Sequence, residues 1–362
     1  MAETGMKQDF IVIGAGIIGL ATAERLLQHG ATVTILERGA AGQESSWAGG
    51  GILSLLCPWD YPDEVTRLAL YSANLFAAWA ADLHQASGID PEYDSSGLVI
   101  CAPFNALVAQ KWCAAHQVAL LQGKADGYAL PTTDEVLYLP QAAQVRNPRL
   151  MRALRKRVEL LGGIIIEQSA AQHIRADHDR VVKVEASSGK YSADKYIVTA
   201  GAWSQEVLGP HALQLEIKPV RGQMLLFKFA APPLQHIVVQ RDLYLIPRRD
   251  GHLLVGSTLE DAGFDKKTTR AAHDDLFKRA QNILPQLCGM PVMQQWAGLR
   301  PGSPGNIPTI ARHPRLKNLY LNSGHFRYGV TMAPGSAEVL HNVLTGGMQP
   351  FDVAPYNAGW GA

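Results

Sequence analysis

The chain has 362 residues, of which 47% are hydrophobic and 18% are charged. This composition is typical of a globular protein, and the length predicts two domains, because single cores usually stop growing at roughly 250–300 residues. Thirty-three basic and thirty-two acidic residues leave a net charge of +1, so we expect a small-molecule partner rather than nucleic acid or a membrane surface.

The start of the chain shows no pattern of a membrane anchor or a secretion signal. Its longest apolar run, residues 10–21, is shorter than the roughly 20 residues that a spanning helix needs. Residues 1–8 lack a basic region followed by an apolar stretch and a cleavage site. The four cysteines form no closely spaced pair, which argues against a disulfide framework or a thiolate metal site. We therefore expect a cytoplasmic protein without a metal.

The predicted elements begin with a strand, a turn and a helix. Residues Asp9 to Ile13 are typical of a short buried strand, and a turn over Gly14 to Gly19 leads into a helix over Ile17 to His29. A second strand is predicted from Ala31 to Glu37, directly after Gly30. Parallel strands joined by a helix occur in sheets that are covered on both faces, so we expect that arrangement.

A loop and two helices are predicted next. Residues 39–51 are rich in Gly and Ser and indicate a long loop. Asp63 is the expected cap of a helix that runs to about Gly88. Asn147 is followed by proline and is expected to cap a helix that ends at Gly162, because asparagine accepts hydrogen bonds from the free amides of a helix start.

Strands return in the second half of the chain. Residues 164–166 and 195–199 are typical of further buried strands. Residues 215–259 contain successive strands, with a hairpin predicted around Asp250 and Gly251. This region is therefore expected to form an antiparallel sheet.

The end of the chain repeats the order of the start. A strand is predicted over 318–322 and a helix from about Ala333 to Leu344. We predict an α/β fold in which a Rossmann-type dinucleotide-binding domain with a parallel sheet is interleaved with an antiparallel-sheet substrate domain; the resemblance described below implies that the dinucleotide is FAD. The predicted nucleotide domain comprises residues 1–85, 145–212 and 296–362, and the substrate domain comprises residues 86–144 and 213–295.

The first turn carries a dinucleotide fingerprint. Gly14, Gly16 and Gly19 match G-x-G-x-x-G between a strand and a helix, which is the context that the motif requires. The glycines allow a tight turn, close approach of a pyrophosphate and close helix packing, and Glu37 ends the second strand where it can accept a ribose hydrogen bond. The alternative interpretation is that the glycines serve only the packing of the strand-to-helix junction. NAD and FAD share the fingerprint, so the motif does not choose between them.

Further motifs, together with this turn, resemble the D-amino-acid oxidase family of flavoproteins. These motifs are Ile11–Gly19, Glu37-Arg38, Ser45–Leu53, Val198–Ser204, Pro219–Met224, Ala297–Pro301 and Gly324–Gly329. They occur in order and span about residues 9 to 345. The resemblance implies an oxidoreductase that binds FAD without a covalent link.

The resemblance also implies which residues hold FAD. They are Gly14, Gly16, Ile17, Ile18, Gly19, Glu37, Arg38, Ser45, Ser46, Gly50, Gly51, Ile52, Ala171, Gly201, His325, Phe326, Arg327, Tyr328, Gly329, Val330 and Thr331. The last seven would place backbone amides near the flavin pyrimidine, where negative charge accumulates on reduction. Tyr328 stands where a smaller polar residue is more common in the family.

By the same resemblance, Arg300, Tyr244 and Arg327 bind and orient the substrate carboxylate. Arginine suits this role because its planar fork matches two carboxylate oxygens and stays charged. Each of the three residues could instead have a structural role. Arg300 could pair with a structural acid, Tyr244 could be a core aromatic, and Arg327 could be an exposed arginine at a helix start.

The implied reaction removes two electrons from the C–N bond of a small amino acid by hydride transfer to flavin, with molecular oxygen as the acceptor. Glycine is the leading expected substrate, and sarcosine and small D-amino acids are further ones. The products would be glyoxylate or another oxo acid, ammonia or an amine, and hydrogen peroxide. A homo-oligomer, with a tetramer suggested, and a role in thiazole synthesis for thiamine are also implied. The alternatives are an oxidase or dehydrogenase with another preferred substrate and a non-catalytic flavin-binding subunit.

Overall fold

A computed structural model describes residues 8–361, so most of the segment considered for a secretion signal lies outside the described residues. The strands are β1 (Gln8–Ile13), β2 (Val33–Leu36), β3 (Leu98–Cys101), β4 (Leu121–Lys124), β5 (Glu135–Leu139), β6 (Ile164–Ile166), β7 (Ala171–Asp177), β8 (Arg180–Ala186), β9 (Gly189–Tyr191), β10 (Ala193–Val198), β11 (Lys218–Lys228), β12 (Ile237–Gln240), β13 (Leu243–Pro247), β14 (His252–Gly256), β15 (Gln294–Gly302), β16 (Thr309–Arg312) and β17 (Leu319–Ser323). The helices are α1 (Ile17–Gln28), α2 (Ser45–Ala48), α3 (Asp63–Ser87), α4 (Ala106–Ala115), α5 (Asn147–Leu160), α6 (Ser204–Leu208), α7 (Arg270–Ile283) and α8 (Gly329–Thr345). Across the described part of the chain, no helix combines the length and the apolar character needed to cross a bilayer.

A six-stranded sheet, ordered β16-β17-β10-β1-β2-β6, contains the predicted strand-helix-strand unit. β1 pairs in parallel with β2 and β10, and β17 continues the parallel set, whereas β16 is antiparallel at one edge. One face packs against helices through side chains such as Val12 and Leu340. The other face packs against the three-stranded sheet β7-β8-β9 through side chains such as Ile11 and Val184. The sheet is therefore covered on both faces, as its apolar strands predicted.

The second sheet has eight strands in the order β15-β11-β14-β13-β12-β3-β5-β4. The predicted hairpin is confirmed, because β13 and β14 pair antiparallel on either side of Asp250 and Gly251. Gly251 has a φ of +84°, a conformation that glycine adopts without strain. The long strand β11 pairs antiparallel with both β14 and β15. A mainly parallel sheet beside a mainly antiparallel one confirms the predicted fold class.

The two sheets are interleaved along the chain. The eight-stranded sheet takes β3 to β5 and β11 to β15, while the six-stranded sheet takes strands from before, between and after these segments. The division into two domains at the stated residues remains a prediction. One of its boundaries, residue 296, falls inside β15, whose pairing with β11 places residues 294–302 in the eight-stranded sheet.

Three details of the predicted elements are wrong. Helix α3 has Pro62 at its N-cap, so Asp63 lies in the first turn, where its charge still complements the helix dipole. Asn147 is the first helical residue of α5. Its side-chain amide does not cap the helix and donates instead from Nδ2 to the Ser46 carbonyl at 2.7 Å. Strand β6 lies at the edge of its sheet, so Ile164 is 49% exposed rather than buried.

We predict that Gly19→Ala destabilises the fold, because α1 packs tightly against the end of β1 at this position. A Cβ at Gly19 would lie 1.9 Å from the Gly14 carbonyl oxygen and 2.6 Å from Thr199 Oγ1. Overpacking typically costs about 1–3 kcal/mol, and a clash with backbone belongs at the upper end of that range. Urea denaturation measures the free energy of unfolding. Gly127→Ala is the matched control, since a Cβ there meets nothing within 4 Å; equal stability of the two variants would contradict the packing.

Candidate active site

A cavity lies where the two sheets meet. The carboxyl ends of β1, β2, β10 and β17 line one side, and β11, β13 and β15 line the other. Ligands of parallel α/β sheets bind beyond the carboxyl ends of the strands. The cavity is therefore positioned as a nucleotide site that also opens onto the eight-stranded sheet.

Most of the predicted site residues line this cavity. They are Gly14, Gly16, Ile17, Ile18, Glu37, Arg38, Ser45, Ser46, Gly50, Gly51, Ile52, Ala171, Gly201, Tyr244, Arg300, His325, Phe326, Arg327, Tyr328, Gly329 and Val330. Gly19 and Thr331 lie behind the lining, where Gly19 packs against Gly14 and the Thr331 hydroxyl donates to the Ile52 carbonyl at 3.0 Å. These two residues hold the lining segments in place.

The glycine turn is shaped for close approach of a ligand to the backbone. Gly14 has a φ of +110°, and a Cβ there would lie 2.7 Å from the Thr199 carbonyl oxygen. Gly16 is the N-cap of α1, and the amide of Ile17 donates to Ser46 Oγ at 2.9 Å. Amides at a helix start and the helix dipole favour a negative group, so a pyrophosphate fits this position.

Glu37 stabilises the turn as well as lining the cavity. Its carboxylate accepts hydrogen bonds from the amide of Ala15 at 2.8 Å and from the amide of Gly39 at 2.9 Å. Each carboxylate oxygen has further acceptor capacity, so a ribose hydroxyl can still donate to it. The ribose role stays a prediction, and the bond to Ala15 adds a structural role that the sequence pattern did not indicate.

The loop over residues 45–52 is held by side chains from distant parts of the chain. Arg248 donates to the Gly50 carbonyl at 2.6 Å and to the Val145 carbonyl at 2.9 Å, and the Ser45 hydroxyl donates to the Leu299 carbonyl. Burial lowers the pKa of Arg248 to about 10, which still leaves it charged at neutral pH. The loop is therefore fixed in one conformation. Sequence analysis missed Arg248, because nothing in its neighbourhood marks a contact with this loop.

Another residue missed by sequence analysis, Trp203, forms part of the cavity wall beside Arg38. The Arg38 guanidinium lies 3.5 Å from the centre of the Trp203 ring, and its Nη2 is 2.7 Å from a carboxylate oxygen of Glu44. Lys266 also pairs with Glu44, at 3.0 Å, and Phe264 stacks on Trp203 with 5.5 Å between ring centres. Trp203 belongs to one of the motifs that carried the family resemblance, so this motif was the available signal.

Arg300 and Tyr244 lie on the wall formed by the eight-stranded sheet. The Arg300 side chain crosses β11 at Gly222, where a Cβ would lie 2.1 Å from its Nη1 atom. Tyr244 packs over Gly256, where a Cβ would lie 2.8 Å from the ring, and its hydroxyl is 3.8 Å from the sulfur of Met224. The two glycines leave the space in which both side chains lie flat on the sheet, and sequence analysis assigned neither of them to the site.

Two arginines at the cavity, Arg300 and Arg327, lack a close acidic partner in the described part of the chain; the charge of Asp242 acts on Arg327 only from beyond ion-pair distance. Arg300 donates from Nη2 to Ser257 Oγ at 2.6 Å and from Nη1 to the Thr258 carbonyl at 3.2 Å. Over residues 8–361, neither Arg300 nor Arg327 forms an ion pair with a carboxylate. Burial lowers the pKa of Arg300, Tyr244 opposes this change, and the positive charge of Arg327 adds to it. Such a pair of cations favours an anion such as a carboxylate.

Aromatic residues close the cavity wall beside Arg327. Tyr328 packs edge-to-face against Tyr61, with 5.0 Å between ring centres, and its hydroxyl accepts a hydrogen bond from the Leu56 amide at 3.5 Å. Burial raises the pKa of Tyr328 well above its usual value, so the hydroxyl stays neutral. Tyr328, which stands where a smaller polar residue is more common in the family, therefore holds the segment from Leu56 to Tyr61 against the cavity wall.

Helix α8 and the turn before it complete the cavity. The helix begins at Gly329, which is earlier than the predicted start at Ala333. Pro334 therefore lies inside the helix and not in its first turn. His325 is buried, and its Nε2 lies 2.9 Å from Ser336 Oγ inside this helix. Burial lowers the pKa of His325 to about 3, so its imidazole is neutral near neutral pH.

These groups fit FAD. The glycine turn and the first amides of α1 suit a pyrophosphate, Glu37 suits a ribose, and the small residues of the loop over 45–52 line the cavity together with Tyr244. The loop also approaches the eight-stranded sheet closely, since a Cβ at Gly50 would lie 2.6 Å from Ile246 Cδ1. In the described part of the chain, no group of three or more His, Cys, Asp or Glu side chains is arranged to hold a metal ion.

Comparison with known proteins points the same way. Residues 9–342 match the family model DAO, described as FAD dependent oxidoreductase. The chain is 41% identical to glycine oxidase of Pseudomonas aeruginosa and 39% identical to glycine oxidase of Pseudomonas putida, in each case over 97% of this chain and 98% of the relative. It is similar to the crystal structure of glycine oxidase from Geobacillus kaustophilus, with a TM-score of 0.92 and 24% identity over 97% of this chain and 98% of that one.

We predict that His325 makes the stability of the protein depend on pH. The unfolded chain takes up a proton at this residue near pH 6.5, whereas the folded chain does so only near pH 3, so acidification through this window favours unfolding. Urea denaturation at about pH 7.5 and pH 4.5 should show a smaller loss of stability on acidification for His325→Gln than for the parent chain. His178→Gln is the control, because His178 is an exposed histidine. Equal pH dependence of all three proteins would contradict the prediction.

Proposed function

The chain belongs to the DAO family of FAD-dependent oxidoreductases, and we propose that it oxidises glycine at the C–N bond. The resemblance inferred from the sequence motifs is confirmed by the family match over residues 9–342. The chain is an FAD-dependent amino-acid oxidase, and FAD is its cofactor. The identity of the amino acid is the part that we propose.

The observation that carries the proposal is the pair of cations at the cavity. Arg300 and Arg327 line the cavity and form no ion pair with a carboxylate among the described residues, and Tyr244 lies beside them. This arrangement suits a small molecule whose carboxylate binds at the arginines and whose amine points towards the proposed flavin position. The similarity to two relatives named glycine oxidase supports glycine as that molecule.

The residues proposed to hold FAD are those of the glycine turn, the loop over 45–52 and the start of α8. The amides of α1 would bind the pyrophosphate, Glu37 would accept from a ribose, and the start of α8 would stabilise negative charge by its dipole. Bound FAD would supply the two-electron redox chemistry, with hydride acceptance from the substrate carbon and molecular oxygen as the final acceptor. The protein's own part is to bind, orient and exclude water.

Arg300 is proposed to bind the substrate carboxylate, while Tyr244 and Arg327 orient it. Anchoring by the carboxylate fixes the position of the Cα–H and of the amine, which is a contribution of orientation rather than of acid or base chemistry. His325 lines the cavity, but burial lowers its pKa to about 3, which makes it a weak base, and its Nε2 is bonded to Ser336, so we assign it no general-base role. The proposed reaction needs the substrate amine to be neutral at the flavin, and no side chain is assigned to remove its proton.

The finer proposals follow from the family resemblance. Glycine gives glyoxylate, ammonia and hydrogen peroxide, and the reaction serves thiazole synthesis for thiamine. Sarcosine and small D-amino acids are further proposed substrates, which give glyoxylate or another oxo acid, an amine or ammonia, and hydrogen peroxide. A homo-oligomer, with a tetramer suggested, also remains a proposal. All four cysteines are unpaired, which supports the proposal of a reducing, cytoplasmic environment.

We predict that the purified chain is yellow, loses its FAD on acid precipitation and produces peroxide in air when given glycine. The comparison set is sarcosine, D-alanine and D-proline, and methylamine is the control because it lacks the carboxylate. Reduction of the flavin by glycine without peroxide would indicate a dehydrogenase instead. A yellow protein that no amino acid reduces would be a flavin-binding subunit, and a colourless protein that takes up no FAD would contradict the proposal altogether.

We predict that Arg300→Ala raises the KM for glycine by at least about a hundredfold, because it removes two hydrogen bonds to a charged group, each worth roughly 1.5–3 kcal/mol. Steady-state kinetics with peroxide detection measures the change. Arg312→Ala is the matched control, since Arg312 is an exposed arginine on β16. An unchanged KM in Arg300→Ala would remove this residue from the substrate site.

A further inference from the structure

The Arg300 side chain follows a defined path across the eight-stranded sheet. Arg300 on β15 pairs with Val220 on β11, and its side chain then passes over Gly222 towards the end of β14. A Cβ at Gly222 would lie 2.1 Å from Nη1 and 2.3 Å from Nη2, so any side chain at this position would displace the guanidinium. The path brings the guanidinium to Ser257, the residue that follows β14.

Two neutral acceptors hold the guanidinium at the end of this path. Ser257 Oγ accepts from Nη2 at 2.6 Å, and the Thr258 carbonyl accepts from Nη1 at 3.2 Å. Ser257 is only 1% exposed, so its hydroxyl is fixed by the surrounding packing. An arginine has several N–H donors in one plane, so these two bonds set the orientation of the plane and leave other donors for a ligand.

Glu260 follows two residues after Thr258, and its carboxylate is held by partners other than Arg300. Glu260 accepts hydrogen bonds from the Thr258 hydroxyl, from Gln223 at 2.9 Å and from Arg221 at 2.6 Å. Arg221 is itself buried and pairs with Glu260, which neutralises the charge of that carboxylate. Arg300 is therefore held in place by groups that leave its positive charge available.

We propose that Ser257 is a positioning residue that holds the Arg300 guanidinium in the orientation that binds the substrate carboxylate. This inference rests on the proposed function. Arginine carries a large rotamer entropy, and a side chain that is ordered before binding loses less of it when the ligand arrives. Ser257 touches Arg300 and acts through it. The Thr258 acceptor is a backbone carbonyl and stays in place when a side chain is substituted. The hydrogen bond from Arg300 to Ser257 Oγ is the one that a substitution can remove.

The test uses the holoenzyme and the Ser257→Ala variant. We expect the KM for glycine to rise roughly tenfold with kcat changed less than about twofold, since the lost bond orients the anchor and not the reacting atoms. Acetate, a carboxylate without an amine, serves as a binding probe that needs no turnover. Its dissociation constant, measured from the change in flavin absorbance, should rise by a similar factor. Ser257→Thr keeps a hydroxyl and should restore both values towards those of the parent enzyme.

Two further variants make the outcomes distinguishable. Ser72→Ala is the matched control, because Ser72 is also a fully buried serine, and its Oγ accepts a hydrogen bond from the Gly335 amide. This variant should leave the KM and the acetate affinity unchanged. If Arg300→Ala loses acetate binding while Ser257→Ala behaves like the parent enzyme, the positioning role is overturned and the proposed function stands. A fall in kcat as large as the rise in KM for Ser257→Ala would also overturn it. If Arg300→Ala keeps both affinities, Arg300 does not bind the carboxylate and the positioning role of Ser257 is overturned, while glycine oxidation stands. If the parent holoenzyme releases no peroxide with glycine, the proposed function fails.

Discussion

Arg300 keeps a positive charge at the cavity wall with a hydroxyl and a backbone carbonyl as its partners. A charge that is removed from water without a counter-ion is costly unless a ligand of opposite charge completes the site. Glu260, two residues after Thr258, is paired with Arg221, and over residues 8–361 Arg300 forms no ion pair. Gly222 then provides the space through which the side chain reaches the cavity. The proposed binding of a carboxylate at this wall rests on this unbalanced charge.

The eight-stranded sheet also determines the shape of the nucleotide side of the cavity. Arg248 follows the end of β13 and holds the Gly50 carbonyl, while the Leu299 carbonyl on β15 accepts from the Ser45 hydroxyl. The loop that joins the two sides is thus fixed by the sheet that carries Arg300. These contacts tie the position of the loop over 45–52 to the strand that carries Arg300.

Local patterns predicted the parts of the site that depend on neighbours in the sequence. The glycines of the first turn, Glu37 and the hairpin at Gly251 each carry a signal within a few residues. Asn147 had the pattern of a helix cap but donates to a loop about a hundred residues earlier in the chain, a contact that no local pattern encodes. Gly222 and Arg248 were missed for the same reason. Their roles come from side chains that approach from other strands, and such contacts exist only after the sheets have formed.

The cavity draws its lining from residues between Ile13 and Val330, on both sheets. Unfolding of either sheet would therefore open the nucleotide site, and a cofactor bound there is lost along with the fold. By mass action, each tenfold rise in free FAD above its dissociation constant adds about 1.4 kcal/mol to the stability of the whole chain. The supply of riboflavin-derived cofactor thus becomes a determinant of how long the folded enzyme persists.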